Sequence, residues 1–130
     1  MSAVTSTRIK KMSPQFLVAD IDASIEFYTK KLGFDVDFRY EDFYAGITRD
    51  GHSIHLKMSH PPIDKERKRN GEDVDVIFSV DNIDELYEDL SGKSVEFTQP
   101  LRHMPFGKEF YVADPDGHII AFLEEAQTIT

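Results

Sequence analysis

The sequence predicts an α+β domain in which two βαβββ modules form a curved, mixed-sheet pocket. Three features predict it, because each occurs twice and in the same order: a short apolar run closed by acidic residues, a helical pattern that ends at a glycine, and an Asp-Gly-His turn. A chain of 130 residues is long enough for one such domain. We expect the domain to cover residues 12–125, with modules at about 12–59 and 74–125 joined by an exposed linker at 60–73.

Each module opens with a strand that leads directly into a helix. The apolar runs 16–19 and 77–80 are each followed by aspartate, and apolar residues then recur every three or four positions, which is the spacing of one helical face. In the first module this face holds Ile21, Ile25, Tyr28 and Leu32, and in the second Ile83, Leu86, Tyr87 and Leu90. Asp22 and Glu26 indicate the start of the first helix, and Gly33 and Gly92 stand where left-handed C-caps belong.

Extended chain follows each helix. Residues 34–40 alternate apolar and polar side chains, which predicts a strand, and residues 95–97 are its counterpart in the second module. Each module then closes on a hairpin at Asp50-Gly51-His52 or Asp116-Gly117-His118, and Asp-Gly between two strand patterns favours such a turn.

Composition excludes several classes of protein. A net charge of −9 argues against a nucleic-acid binder, and no apolar run is long enough for a membrane span. The absence of cysteine excludes disulfides and thiolate metal sites, and it suits the cytoplasmic location that we expect. Residues 1–71 carry a net charge of +2 and residues 72–130 a net charge of −11, an asymmetry that suits a cationic ligand, a docked second copy or simple solubility.

Two stretches resemble the vicinal-oxygen-chelate superfamily, which includes glyoxalase I, extradiol dioxygenases, fosfomycin-resistance enzymes and bleomycin-resistance proteins. Residues 25–34 (IEFYTKKLGF) resemble its first helix, and residues 114–118 (DPDGH) its turn before the last strand. Residues 106–115 (FGKEFYVADP) are similar to bleomycin-resistance proteins in particular, although Phe106 stands where those proteins usually have Trp. The resemblance covers about residues 12–125.

The resemblance also implies where a divalent metal would bind. The superfamily's enzymes hold the metal on the first, fourth, fifth and eighth strands, and the register carries those positions onto Ser13, His55, Asp75 and Ala121. Alanine cannot bind a metal, and a catalytic site ordinarily needs three good ligands. We therefore expect no metal and no other cofactor.

The same register predicts a largely aromatic and apolar pocket. If His55 faces the concave side, repeat symmetry and analogy with the fosfomycin-resistance enzymes place Phe43, Ala45, Glu109 and Tyr111 there as well. Burial of Glu109 would require solvent, a basic neighbour or a ligand to satisfy its charge. The predicted ligand-binding residues are Ser13, Phe43, His55, Asp75, Phe106, Glu109 and Tyr111.

The resemblance favours a non-catalytic protein of the bleomycin-resistance type, which sequesters an aromatic or cationic small molecule as a homodimer. A glyoxalase-like lyase or isomerase, or a dioxygenase-type enzyme with an atypical metal site, is the alternative, and a metal-free route through His55, Glu109 or Tyr111 stays open. A regulatory or purely structural dimer is a third hypothesis. Neither a nucleic acid nor a membrane is expected as a partner.

Overall fold

A computed structural model describes residues 5–60 and 70–127 and contains the predicted order of elements twice. The first module consists of β1 (Gln15–Val18), α1 (Ile21–Glu26, continued by a π-helical stretch, Phe27–Lys31), β2 (Asp35–Tyr40), β3 (Tyr44–Arg49) and β4 (His52–Met58). The second consists of β5 (Val76–Ser79), α2 (Ile83–Ser91), β6 (Glu96–Met104), β7 (Gly107–Ala113) and β8 (Ile119–Glu125). The α+β prediction is therefore confirmed.

Each module contributes one four-stranded mixed sheet. The strand order is β1-β4-β3-β2 in the first sheet and β5-β8-β7-β6 in the second. In both sheets the first strand of the module runs parallel to the last one, and the other neighbours are antiparallel. The helix is the crossover that a parallel pair requires.

The helix-covered faces of the two sheets share one apolar core. Helix α1 packs on β3 and β4, and α2 packs on β7 and β8. Phe34 of the first module contacts Phe78 of the second at 6.0 Å between ring centroids, and Phe78 continues to Phe122 at 5.9 Å. The fully buried members come from both modules and include Val18, Tyr28, Leu56, Leu90, Phe110 and Ile120. The opposite face of each sheet is called here its open face.

The second Asp-Gly-His turn adds polar contacts between the modules. The buried Asp114 accepts a hydrogen bond from the Tyr28 hydroxyl at 2.7 Å. Asp116 accepts bonds from the Ala19 N–H at 3.0 Å and from the Ser24 hydroxyl at 3.3 Å. His118 of the same turn stacks on Phe16 of β1.

The helix ends differ in part from the prediction. Asp20, rather than Asp22, caps α1, because its extended backbone lets the side chain accept the N–H of Ala23. Gly33 has the expected left-handed backbone, with φ of 73°. Gly92 does not, with φ of −88°, and the left-handed residue after α2 is Ser94.

A β-bulge interrupts the predicted alternation along β2. Val36 pairs with Ile47, whereas Phe38 pairs with Gly46, so two residues on β2 span one on β3. The extra residue turns Phe38 and Tyr40 to the open face, away from the side on which Phe34 is buried.

The linker is described only at its end. Residues 70–73 are exposed, as expected, and the basic run at 65–69 lies outside the described residues. In the described part of the chain, neither helix has the length and apolar character to cross a membrane.

Candidate functional site

The open face of the first sheet carries four neighbouring aromatic rings, which we call the aromatic surface: Phe38, Tyr40, Tyr44 and His55. Adjacent ring centroids lie 5.2–6.4 Å apart. Tyr40 is 58% exposed. Gly46 lies beneath Phe38, and a methyl group there would collide with the Phe38 ring, so the glycine lets this ring lie against the sheet.

The aromatic surface depends on a register that is shifted by one residue from our expectation. Gly46 lies opposite His55 and Ala45 opposite Leu56, and residues directly opposite in an antiparallel pair share a face. Ala45 therefore points into the buried core. Phe43, 52% exposed, precedes β3 in the turn and not on the His55 face. The prediction that Phe43 and Ala45 face the same side as His55 is wrong, and Tyr44 and Gly46 occupy that side.

Two hydrogen bonds order the polar groups on this face. The Tyr44 hydroxyl and His55 Nδ1 are 2.5 Å apart, and the Ser13 and Ser53 hydroxyls are also 2.5 Å apart. Ser13 lies two residues before β1, rather than on it as expected, and on the same side as His55. The structure thus brings Ser13 and His55 to one face, with the Ser13 hydroxyl engaged by Ser53.

The open face of the second sheet contains a charged cluster, which we call the Arg102 network: Glu72, Gln99, Arg102, Glu109 and Tyr111. Glu109 is only 6% exposed, and its Oε2 accepts bonds from Arg102 Nε at 2.8 Å and Nη2 at 2.6 Å. Arg102 is therefore the basic neighbour that burial of Glu109 requires. The expected inward facing of Glu109 and Tyr111 agrees with their pairing opposite Leu123 and Ala121.

The contacts within the network shift the pKa values of three of its members. Hydrogen bonds from Arg102 lower the pKa of Glu72, and bonds to Glu72 and Glu109 raise the pKa of Arg102. Burial, followed by the charge of Glu109, raises the pKa of Tyr111. At neutral pH Glu72 and Arg102 are consequently charged and the Tyr111 phenol is neutral.

The positions implied for a metal do not form an ordinary metal site. Asp75 lies just before β5, and its Oδ2 accepts the N–H of Ile119 at 2.7 Å. Ala121 shares that face of the second sheet without offering a donor atom. Within residues 5–60 and 70–127, no three His, Cys, Asp or Glu side chains come together in a way that would hold an ion. The donor set does not fit a catalytic divalent metal.

Two further residues lie at the end of the second sheet. Phe106 is half exposed in the β6–β7 turn, and its carbonyl accepts the N–H of Ala126 at 2.9 Å. It lines a shallow depression with Leu123 of the open face. His103 lies within β6, opposite Lys108.

The sequence reading missed Phe38, Tyr40, Tyr44 and Arg102 as members of these faces. A bulge has no reliable signal in the apolar pattern, so the facing of Phe38 and Tyr40 was hidden. Arg102 was detectable in principle, since a buried glutamate calls for a cation, but sequence spacing does not show which residue crosses from β6.

Comparison with known proteins agrees with this architecture. The family model described as Glyoxalase/Bleomycin resistance protein/Dioxygenase superfamily matches residues 12–122. A search of curated proteins finds no match.

Among solved structures, the chain is similar to TioX from Micromonospora sp. ML1, with 19% identity, a TM-score of 0.74 and coverage of 90% of this chain and 99% of that one. It is also similar to TnmS3, an antibiotic binding protein from Streptomyces sp. CB03234, with 18% identity, a TM-score of 0.70 and coverage of 95% and 100%. A third is the bleomycin-binding protein of bleomycin-producing Streptomyces verticillus in complex with copper(II)-bleomycin, with 21% identity, a TM-score of 0.68 and coverage of 92% and 99%. At these identities the likeness establishes the fold.

Proposed function

Since the chain belongs to the glyoxalase/bleomycin resistance protein/dioxygenase superfamily, we propose that it binds and sequesters a flat aromatic small molecule without metal catalysis. The aromatic surface of the first sheet is the observation that carries the proposal. Small-molecule sites are mostly apolar and aromatic, with a few placed polar groups, and this surface has that composition.

The geometry of the aromatic surface suits a planar ligand. Stacked or edge-on ring pairs are favourable at centroid separations of about 4.5–7 Å, the range that the four rings already keep among themselves. The Tyr44–His55 hydrogen bond fixes two of the rings. A planar compound beside the exposed Tyr40 would extend this packing while the Tyr44–His55 pair offers polar contacts.

The charges favour an aromatic ligand over the cationic one that the acidic composition suggested. The buried carboxylate of Glu109 would attract a cation, but Arg102 already pairs with it. Asp75 is engaged by the backbone of β8. Sequestration of an aromatic compound is also in keeping with the antibiotic-binding and bleomycin-binding proteins of the same fold.

We further propose a homodimer that covers the open faces. Leu17 and Ile77 lie on the open faces of the first and second sheets and are 45% and 56% exposed. Exposed apolar residues on faces that also carry the binding groups are typical of surfaces that a partner covers. A second copy would shield them and turn an open surface into a pocket. We also propose a role in antibiotic resistance and a cytoplasmic location.

Titration calorimetry with copper(II)-bleomycin and a panel of planar aromatic compounds tests the binding proposal. Tyr40→Ala should weaken binding about fivefold, since a ring contact contributes about 1 kcal/mol. Val36→Ala is the control, because Val36 is also an exposed apolar residue of β2 but lies opposite the buried Ile47, off the His55 face. No binding across the panel, or an equal loss in both variants, would overturn the proposal.

An enzyme is the second candidate, and the Tyr44–His55 pair favours it. A phenol hydrogen-bonded to an imidazole on an accessible face is able to move a proton, as a metal-free lyase or isomerase requires. Metal analysis of protein purified without chelators distinguishes a metal-dependent enzyme from the metal-free candidates. One equivalent of bound metal that disappears in His55→Ala would contradict the metal-free binding proposal.

A further inference from the structure

We infer that Arg102 is a carboxylate-recognition site whose outer edge Glu72 occupies until an acidic group of a ligand replaces it. The inference deepens the proposed function and rests on it for the identity of the ligand, which would be an aromatic compound bearing a carboxylate.

Arg102 presents two adjoining edges of its guanidinium group, which share Nη2, to two carboxylates. The inner edge, Nε and Nη2, bonds to Oε2 of Glu109 at 2.8 and 2.6 Å. The outer edge, Nη1 and Nη2, bonds to Glu72 at 2.9–3.3 Å, with one Glu72 oxygen shared by both nitrogens. An arginine edge matches the two oxygens of a carboxylate, and the outer edge contacts both oxygens of Glu72 in this way.

The two carboxylates differ in how firmly they are held. The side chain of Glu109 is 9% exposed, and removal of a partner from such a buried pair is costly. The side chain of Glu72 is 66% exposed and comes from the end of the linker rather than from a strand. An exposed ion pair contributes little to stability, so a ligand carboxylate is able to compete with Glu72 but not with Glu109.

The surroundings of the outer edge fit an aromatic acid. The Tyr111 hydroxyl lies 3.3 Å from Arg102 Nη2, and the guanidinium carbon lies 5.6 Å from the Tyr111 ring centroid. Tyr111 lies opposite Ala121, and Ala121 lies beside Ile77, which is 56% exposed on the same open face. An acid bound at Arg102 would therefore place its ring next to an apolar surface. Exchange of one carboxylate for another also leaves the net charge of the network unchanged.

The test follows the Arg102 Nε–H signal by NMR during titration with benzoate. Two control ligands are titrated in the same way: acetate, which has a carboxylate but no ring, and benzamide, which has a ring but no charge. In Glu72→Gln the outer edge loses its competitor, and benzoate should bind about two- to fivefold more tightly than in the wild type. Glu88→Gln, which removes an equal charge from an exposed position on α2, should leave the affinity unchanged. Arg102→Gln combined with Glu109→Gln removes the site without leaving a buried unpaired charge, and benzoate binding should disappear, as measured by calorimetry.

Equal benzoate affinity in Glu72→Gln and the wild type, or equal binding of benzamide and benzoate, would overturn the inference. Failure of the proposed function is a different result. In that case acetate would still shift the Arg102 signal of the Glu72→Gln variant, which shows that the carboxylate site exists. The affinity for aromatic compounds would, however, be the same in Tyr40→Ala as in the wild type.

Discussion

The two Asp-Gly-His turns have the same three residues and different roles in the molecule. At the first turn, Asp50 and Gly51 both have positive φ, 52° and 83°, and form a tight hairpin whose side chains, including His52, are exposed. At the second, Asp116 is buried and His118 stacks on Phe16 at 4.4 Å between ring centroids. A local motif thus determines a change of chain direction, whereas the neighbouring module determines whether its side chains stabilise the fold.

The difference comes from what faces each turn. The second turn lies against the start of α1 and the end of β1, where the Ala19 N–H and the Ser24 hydroxyl are donors in need of an acceptor. The first turn lies next to the cleft between the modules and meets Arg49 as its charged neighbour, with Arg49 Nε 3.6 Å from Asp50. Substitutions at matching positions of the two turns therefore measure the contribution of the contact between modules.

The largest effect is expected for Asp114→Ala, beside the second turn. The substitution leaves the buried Tyr28 hydroxyl and the N–H groups of Asp116 and His118 without their acceptor, at a cost of about 4 kcal/mol in the free energy of unfolding. Urea unfolding measures it. Tyr28→Phe should lower the free energy of unfolding much less in the Asp114→Ala variant than in the wild type. If the costs of the two substitutions simply add, the two residues do not act together.

Asp116→Ala should be the next most destabilising, by about 2–3 kcal/mol, because two donors lose a buried acceptor. Asp50→Ala is its matched control and should cost about 1 kcal/mol or less, since only the poorer tolerance of alanine for positive φ is felt. Thermal unfolding of both variants provides the comparison. Equal costs would mean that the contact with the first module contributes nothing.

His118→Ala should destabilise by about 1.5 kcal/mol through loss of the Phe16 stacking and of the 2.7 Å hydrogen bond between Nε2 and the Leu17 carbonyl. His52→Ala, at the exposed equivalent position, should stay within about 0.5 kcal/mol of the wild type. A cost for His52→Ala as large as that for His118→Ala would contradict the asymmetry between the turns.

The smallest effect concerns pH. Burial raises the pKa of Asp114 above 3.8, so the folded state holds this proton more tightly than the unfolded state does. The contribution of Asp114 to stability is therefore greatest at low pH and decreases as pH rises through the raised pKa. Asp114→Asn lacks this titration. Its free energy of unfolding should improve relative to the wild type as pH rises from roughly 4 to 7, and a difference that does not change with pH would contradict the burial argument.

The sequence predicted the order of elements well, because that order rests on local signals. Helical spacing, the acidic residues at the start of α1 and the glycines of the hairpin turns all act within a few residues of their own position. Gly33 took the left-handed backbone as expected. Gly92 did not, since a positive φ at Ser94 ends the turn after α2 just as well.

The residues of the site were predictable only where the facing of one strand could be counted correctly from a neighbouring strand. Glu109 and Tyr111 share the face of Ala121 because β7 and β8 pair without a shift. Phe43 and Ala45 were placed by repeat symmetry, but the β3–β4 pairing is shifted by one residue from the position that this symmetry predicts. A shift of one residue moves every side chain of a strand to the opposite face of the sheet. The ligand-binding roles of Ser13, Phe43, His55, Asp75, Phe106, Glu109 and Tyr111 stay predictions.

The core that both modules share has a consequence for a polypeptide of half this length. Alone, either half would expose the aromatic face on which Phe34, Phe78 and Phe122 meet, so it would need a second half to fold stably. Because the linker joins the two halves, their association is intramolecular, and a short linker gives it a high effective concentration. Within one chain the two turns serve different purposes: the second is bound to the start of the first module, whereas the side chains of the first are exposed.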